Sequence, residues 1–208
     1  MTEQKTIGVL LFDDAEELDF VGPYEALSMF AKYIDKEWRV VTVSQSGGPV
    51  RAGHDLRVLP DVSFESCPPL DVLLVPGGLG TRKEVDNETL IDFVRRQGEG
   101  CQWVTSVCTG AFILSRAGFL KGRRATTHWG AMDRLREEPE IEVVEGRFVQ
   151  DGNVITAAGV SAGIDMALYL IGQLKDAEAA RNVQKLMEYY PEPPYAEEAG
   201  VAAGKGAS

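Results

Sequence analysis

Residues that usually carry metal or redox chemistry are scarce in this chain: two histidines, His54 and His128, and three cysteines, Cys67, Cys101 and Cys108, among 208 residues. An odd, irregularly spaced set of thiols makes no disulfide framework, and no zinc-ligand spacing emerges from it. No basic run offsets the formal charge of -11, which excludes nucleic acid or an anionic membrane surface as the main partner. No stretch approaches the roughly 20 apolar residues of a membrane span. The N-terminal apolar run, Ile7–Phe12, is followed by Asp13 and Asp14 and is too short for a secretory core. Phosphate-loop and dinucleotide fingerprints are both missing. A soluble protein of the reduced cytoplasm, where free thiols persist, is the expectation.

What is present is a globular composition, 44% hydrophobic and 25% charged. A chain of this length buries roughly two-thirds or more of its unfolded surface, so it can fold without staples. A short, continuously apolar run, IGVLLF, and further strand-like segments (WRVVTVS, DVLLVPGG, WVTSV) alternate with helical patterns. Leu18–Tyr33 reads as a helix with Pro23 in its first turn. Residues 47–64 read as small strands, and Asn87 as the cap of a helix ending near Gly98. A strand over Arg124–Thr127, a short helix from His128, a hairpin turning near Gly152, a helix capped by Ser161 and one opened by Asp176 complete the pattern. Strands buried on both faces and separated by helices predict an α/β protein: a flavodoxin-like three-layer sandwich, mostly parallel, with helices on both faces. The expectation is one domain over residues 1–194 and a mobile tail over 195–208.

Reactive groups in such sheets gather at the carboxyl ends of strands. Cys108 sits at one, in Ser-Val-Cys-Thr-Gly, where a strand turns sharply into a helix. That is a nucleophile elbow: the turn lifts the side chain and aims the first helical N–H groups, from Thr109 and Gly110, at it. The positive helix end predicts a lowered thiol pKa. Cys67 and Cys101 have no such turn and read as structural. Asp19, between Leu18 and Phe20, reads either as an N-cap or as a carboxyl held over the strand ends, its pKa raised by desolvation. Gly77 and Gly78 follow a buried strand and leave N–H groups for an anion or polarised atom. His128 can fold back beside the thiol or serve the structure alone. Trp129 reads as a wall of a pocket or of the core.

Together LDFVGPYEAL, PPLDVLLVPGG, VTSVCTGAFILSRAGFLKGRRATTHW and AAGVSAGIDMAL resemble the PfpI-like superfamily of glutamine-amidotransferase-like proteins. Within it, they resemble the isonitrile hydratases. The resemblance runs from about Ile7 to Pro194. It implies a nucleophile at Cys108, an acidic partner at Asp19, a neighbouring threonine at Thr109 and an oxyanion site at Gly77 and Gly78, with His128 kept as a candidate substrate contact beside them. It further implies hydration of isonitriles to N-substituted formamides through a covalent thioimidate, with a small isonitrile and water as partners. No metal, no other cofactor and a homodimer belong to the same expectation. Other members of the superfamily suggest two alternatives: a cysteine redox or stress-response protein, or a stand-alone relative of the ligand-sensing domain of AraC-type regulators. Asp13 and Asp14 make the loop beside the site more acidic than the resemblance leads one to expect.

Overall fold

The computed structural model describes residues 4–195; all but the first residue of the tail expected to be mobile lies outside them. The chain opens with β1 (Lys5–Leu10), α1 (Glu17–Met29), a π-helical turn (Phe30–Ile34) and β2 (Trp38–Ser44). A run of two-residue strands follows, β3 (Val50–Arg51), β4 (Arg57–Val58) and β5 (Val62–Ser63), and then β6 (Val72–Val75), α2 (Thr81–Glu84) and α3 (Glu88–Gly100). Next come β7 (Trp103–Val107), α4 (Gly110–Arg116) and β8 (Arg123–Ala125). A 3-10 turn (Trp129–Ala131) leads into α5 (Met132–Arg136), β9 (Ile141–Val143), β10 (Phe148–Asp151), β11 (Val154–Ala157), α6 (Ala162–Leu174) and α7 (Ala177–Leu186).

Seven strands form the main sheet in the order β10-β11-β7-β6-β1-β2-β5. All neighbours are parallel except β10 and β11, which make a hairpin turned by Gly152 and Asn153. The strands β6 and β11 are buried at every residue, because helices cover both sides and leave no face for polar side chains. On one side α1, α6 and α7 pack against one another; on the other, α2, α3 and α4 do. One hydrophobic cluster runs through both layers, from Ile7 to Val183.

Several local expectations are corrected. Helix α1 starts at Glu17 rather than Leu18, with Glu16 as a cap that makes no side-chain bond, so Pro23 lies inside the helix and Asp19 is no N-cap. Having no N–H, Pro23 leaves the Asp19 carbonyl without its helical partner. Ser161 does not cap α6 with its side chain; its hydroxyl accepts from Arg147 instead. The hairpin expected within 141–159 is present as β10 and β11, while β9 stands apart and pairs with β8 in a separate two-stranded sheet. Asn87 and Asp176 do cap their helices, accepting from the N–H groups of Leu90 and Ala179.

Strand register brings the functional ends together. Val75 pairs with Ser106 and Val107 with Ala157, so Pro76–Gly78, Cys108 and Ala158–Val160 leave the sheet side by side. The start of α4 closes on this edge: a Cβ at Gly110 would lie 2.4 Å from the Val75 carbonyl oxygen and 2.7 Å from that of Pro76. Backbone at that distance must move, so Gly110→Ala is expected to cost about 1–3 kcal/mol, the usual range for overpacking. Urea unfolding of the variant checks this.

Candidate active site

Cys108 stands on the residue between β7 and the turn into α4, with φ of +56°. A non-glycine residue there is strained by roughly 1–3 kcal/mol, and the surroundings must impose it. They do so at both ends of the residue. Its N–H donates to the carbonyls of Ala157 (3.1 Å) and Ala158 (2.9 Å), and its carbonyl accepts the Thr127 hydroxyl at 2.8 Å. The elbow expected from the sequence is therefore present. The thiol it carries is nearly closed off, the residue being 7% exposed.

Asp19 comes from the first turn of α1 and is fully buried. One carboxyl oxygen accepts the Gly77 N–H at 2.9 Å; the other, Oδ1, has no hydrogen-bond partner among the described residues. Burial raises its pKa to about 7, against the Gly77 N–H that lowers it and with the Glu16 charge that adds to it. Phe20 is buried beside it, whereas Leu18 is partly exposed.

The lowered thiol pKa expected at Cys108 is corrected. Burial first, and then the Asp19 charge, push it up to about 12. The Thr109 N–H and hydroxyl and the Val160 N–H counter this only in part. The helix-end effect is worth about a kilocalorie and fades within a turn, whereas removing an anion from water beside another acid costs more. Near neutral pH the thiol keeps its proton, and the carboxyl beside it is the group that titrates.

Gly77 and Gly78 lie against this pair, with their N–H groups already engaged. Gly77 holds Asp19, and Gly78 donates to Thr109 Oγ1 at 3.0 Å. They thus orient the acid and the threonine in the resting protein, rather than offering two free donors. A Cβ at Gly77 would sit 2.5 Å from the Thr109 nitrogen and 2.8 Å from Asp19 Oδ2, so only glycine permits this approach. The Thr109 hydroxyl lies between the Cys108 sulfur and the Gly78 carbonyl, 3.1 Å from the latter.

His128 is not joined to the pair. Its Nδ1 accepts the Gly130 N–H at 3.1 Å, and its ring packs against Gly159. Trp129, expected to wall a pocket or the core, is 83% exposed. Cys67 and Cys101 are spectators: their thiols donate to the carbonyls of Pro68 and Leu70, and burial raises both pKa values.

Two site residues had no assigned role in the sequence. Thr81, on α2, places its hydroxyl 2.7 Å from the Gly78 carbonyl and 3.1 Å from Thr109 Oγ1. Val160 turns its N–H toward both Asp19 and Cys108, at φ +45°. No residue-type signal marks this, because β-branched side chains avoid that region. At the rim, Glu16, Glu17 and His54 gather three potential metal-binding atoms. His54 Nδ1 and Glu17 Oε2 are 2.7 Å apart, and the trio reads as an ion pair with Glu16 alongside.

The raised Asp19 pKa has a consequence for folding. Unfolded, this group ionises near 3.8; folded, near 7. Between those values the folded state retains a proton that the unfolded state has lost, so stability falls as pH rises through the window and is intact below it. Asp19→Asn removes that loss. The variant is expected to gain on the wild type by on the order of 3–4 kcal/mol between pH 4 and pH 8. Denaturant unfolding at the two pH values measures it, and an unchanged difference would contradict the assigned burial.

Comparison with known proteins agrees with this architecture. The DJ-1/PfpI family pattern matches residues 5–173. The isonitrile hydratase of Pseudomonas putida is 42% identical over 91% of this chain and 80% of its own length. The HTH-type transcriptional regulator GbdR of Pseudomonas aeruginosa is 30% identical over 89% of this chain, which spans only 51% of the regulator. A crystal structure of a THiJ/PfpI family protein from Pseudomonas syringae superposes with a TM-score of 0.84 at 36% identity, covering 92% of this chain and 77% of that one. On fold, elbow and sequence together, the chain belongs to the DJ-1/PfpI family.

Proposed function

We propose that this protein is an isonitrile hydratase: it adds water to R–N≡C and releases an N-substituted formamide. The observation that carries the reading is the pairing of a buried, protonated thiol with a single buried carboxyl. Hydrating an isonitrile requires a nucleophile and a proton at the same carbon, and this pair supplies both. The 42% identical isonitrile hydratase of Pseudomonas putida supports the same reading.

In the proposed cycle the Cys108 sulfur attacks the terminal isonitrile carbon while Asp19 takes the thiol proton and passes it to that carbon. The product is a thioimidate, R–N=CH–S–Cys108. Asp19, again a carboxylate, draws a proton from water as its oxygen adds to the carbon, and the nitrogen takes up that proton. The tetrahedral species R–NH–CH(OH)–S expels the sulfur. The hydroxyl proton returns to the sulfur through Asp19, and R–NH–CHO leaves. Thr109 and the Gly77–Gly78 backbone orient carboxyl, sulfur and water, and His128 supports the adjoining wall. No metal or other cofactor takes part.

Access favours this substrate over a peptide. The isonitrile head is a slim linear terminus that reaches a thiol only 7% exposed, and peptide hydrolysis would need a histidine on the sulfur. Oxidant sensing favours an exposed thiolate, which this thiol is not. Among the described residues no helix is long and apolar enough to cross a membrane. A cytoplasmic homodimer of one domain, residues 1–194, is the proposed working form.

Purified wild type is expected to convert an aryl isonitrile to its formamide, with Cys108→Ala losing all turnover and Asp19→Asn at least a hundredfold, the low end for acid–base catalysis. The singly protonated pair is the working form, so kcat/KM of the wild type should rise through about pH 7 as Asp19 ionises. Product mass and a pH series check both. Turnover in Cys108→Ala would overturn the reading.

A further inference from the structure

Val160, in the left-handed conformation, sits two residues after the Ala158 carbonyl that accepts the Cys108 N–H at 2.9 Å, so something must hold the chain on both sides of this turn. On the near side, the Ala158 N–H donates to the Arg147 carbonyl at 3.0 Å, and Gly159 lies against the His128 ring. On the far side, Arg147 Nη2 donates to Ser161 Oγ at 3.0 Å, and Arg147 Nε to Asp165 Oδ2, one turn into α6, at 2.5 Å. The Tyr189 phenol, from the segment after α7, lies beside both Arg147 and Asp165.

The geometry points to Arg147 as a positioning residue for the reacting pair: its carbonyl grips the N–H of Ala158, whose own carbonyl holds the Cys108 N–H, and its guanidinium grips Ser161 and Asp165, which together fix the Val160 turn against the elbow. This rests on the reading of Cys108 and Asp19 as the reacting groups. Arg147 itself meets no substrate. Its side chain is 44% exposed and that of Asp165 30%, so the ion pair contributes little to overall stability. Its value lies in the two-pronged fork, which fixes direction as well as distance. When the turn relaxes, the Cys108 N–H loses its anchor at Ala158, the elbow shifts, and the sulfur loses part of the N–H support that favours its thiolate, so it holds its proton more tightly. The groups that bear on this titration are Asp19 and Glu16 around the start of α1, Thr109 at the elbow and His128 behind Gly159; Asp165 and Tyr189 bear on it only through Arg147.

The test measures iodoacetamide alkylation of Cys108 from pH 7 to 10, read by mass spectrometry of its peptide. Wild type, Arg147→Ala, Arg147→Lys and Ser161→Ala are compared as full chains, with kcat and KM for formamide production alongside. Arg147→Ala is expected to slow alkylation about tenfold at a given pH, equivalent to one unit of pKa. It should lower kcat by a similar factor while KM stays within about twofold. Arg147→Lys keeps the charge but not the fork and should fall between. Ser161→Ala should shift the profile in the same direction, and it decides the matter if Arg147→Ala does not fold. Alkylation profiles that superimpose on the wild type overturn the inference, as does a loss of melting temperature with unchanged Cys108 reactivity. Alkylation needs no isonitrile, so a shifted profile without formamide would sink the hydratase reading and leave the positioning role standing.

Discussion

Two acids share a buried corner of this protein, and neither can ionise freely while the other is charged. Asp19 has no exposure, Cys108 almost none, and one Asp19 oxygen has no partner among the described residues. Of the two singly ionised states, a carboxylate with a thiol beside it is the cheaper, and a second anion is excluded until the pH is far above neutral. This constraint gives the site its chemical character. A proton is available at the sulfur and a base is available for that proton, with little bulk water to divert either.

Every other feature of the edge serves that corner. Three parallel strands end in register, so their loops deliver an N–H to Asp19, a sulfur and a second N–H to one place. The cost appears as backbone strain at Cys108 and Val160, both in the left-handed region. Strain at neighbouring positions, held by bonds from Ala157, Ala158 and Thr127, marks a site whose precision is maintained by the rest of the fold. The active corner destabilises the protein locally, and the large two-layer core carries it.

Much of this is legible in the sequence where one physical cause dominates. The residues Ile7–Leu10 of β1 and the strand β6 are apolar runs because helices cover both faces, and the elbow at Cys108 follows from a strand meeting Thr-Gly. Asn87 and Asp176 announce their helices because capping is local chemistry. Legibility ends where distant segments compete. Asp19 has the residue type of a cap, yet α1 begins before it and uses the carboxyl elsewhere. The sign of the thiol shift depends on burial and on the Asp19 charge brought in from α1, which a helix-end argument cannot weigh. Val160 carries no local mark at all, since its role lies in its backbone and its conformation is imposed from Arg147 and His128.

The central claim is that the isonitrile carbon becomes bonded to the Cys108 sulfur. Acid quenching of the wild-type protein during turnover, followed by mass spectrometry of the intact chain and its peptides, tests it most directly. The account predicts an adduct on the peptide containing Cys108 that adds the full mass of the isonitrile, with the thiol proton retained on carbon. Turnover with Cys108 unmodified at every quench time, or an adduct confined to Cys67 or Cys101, would contradict it.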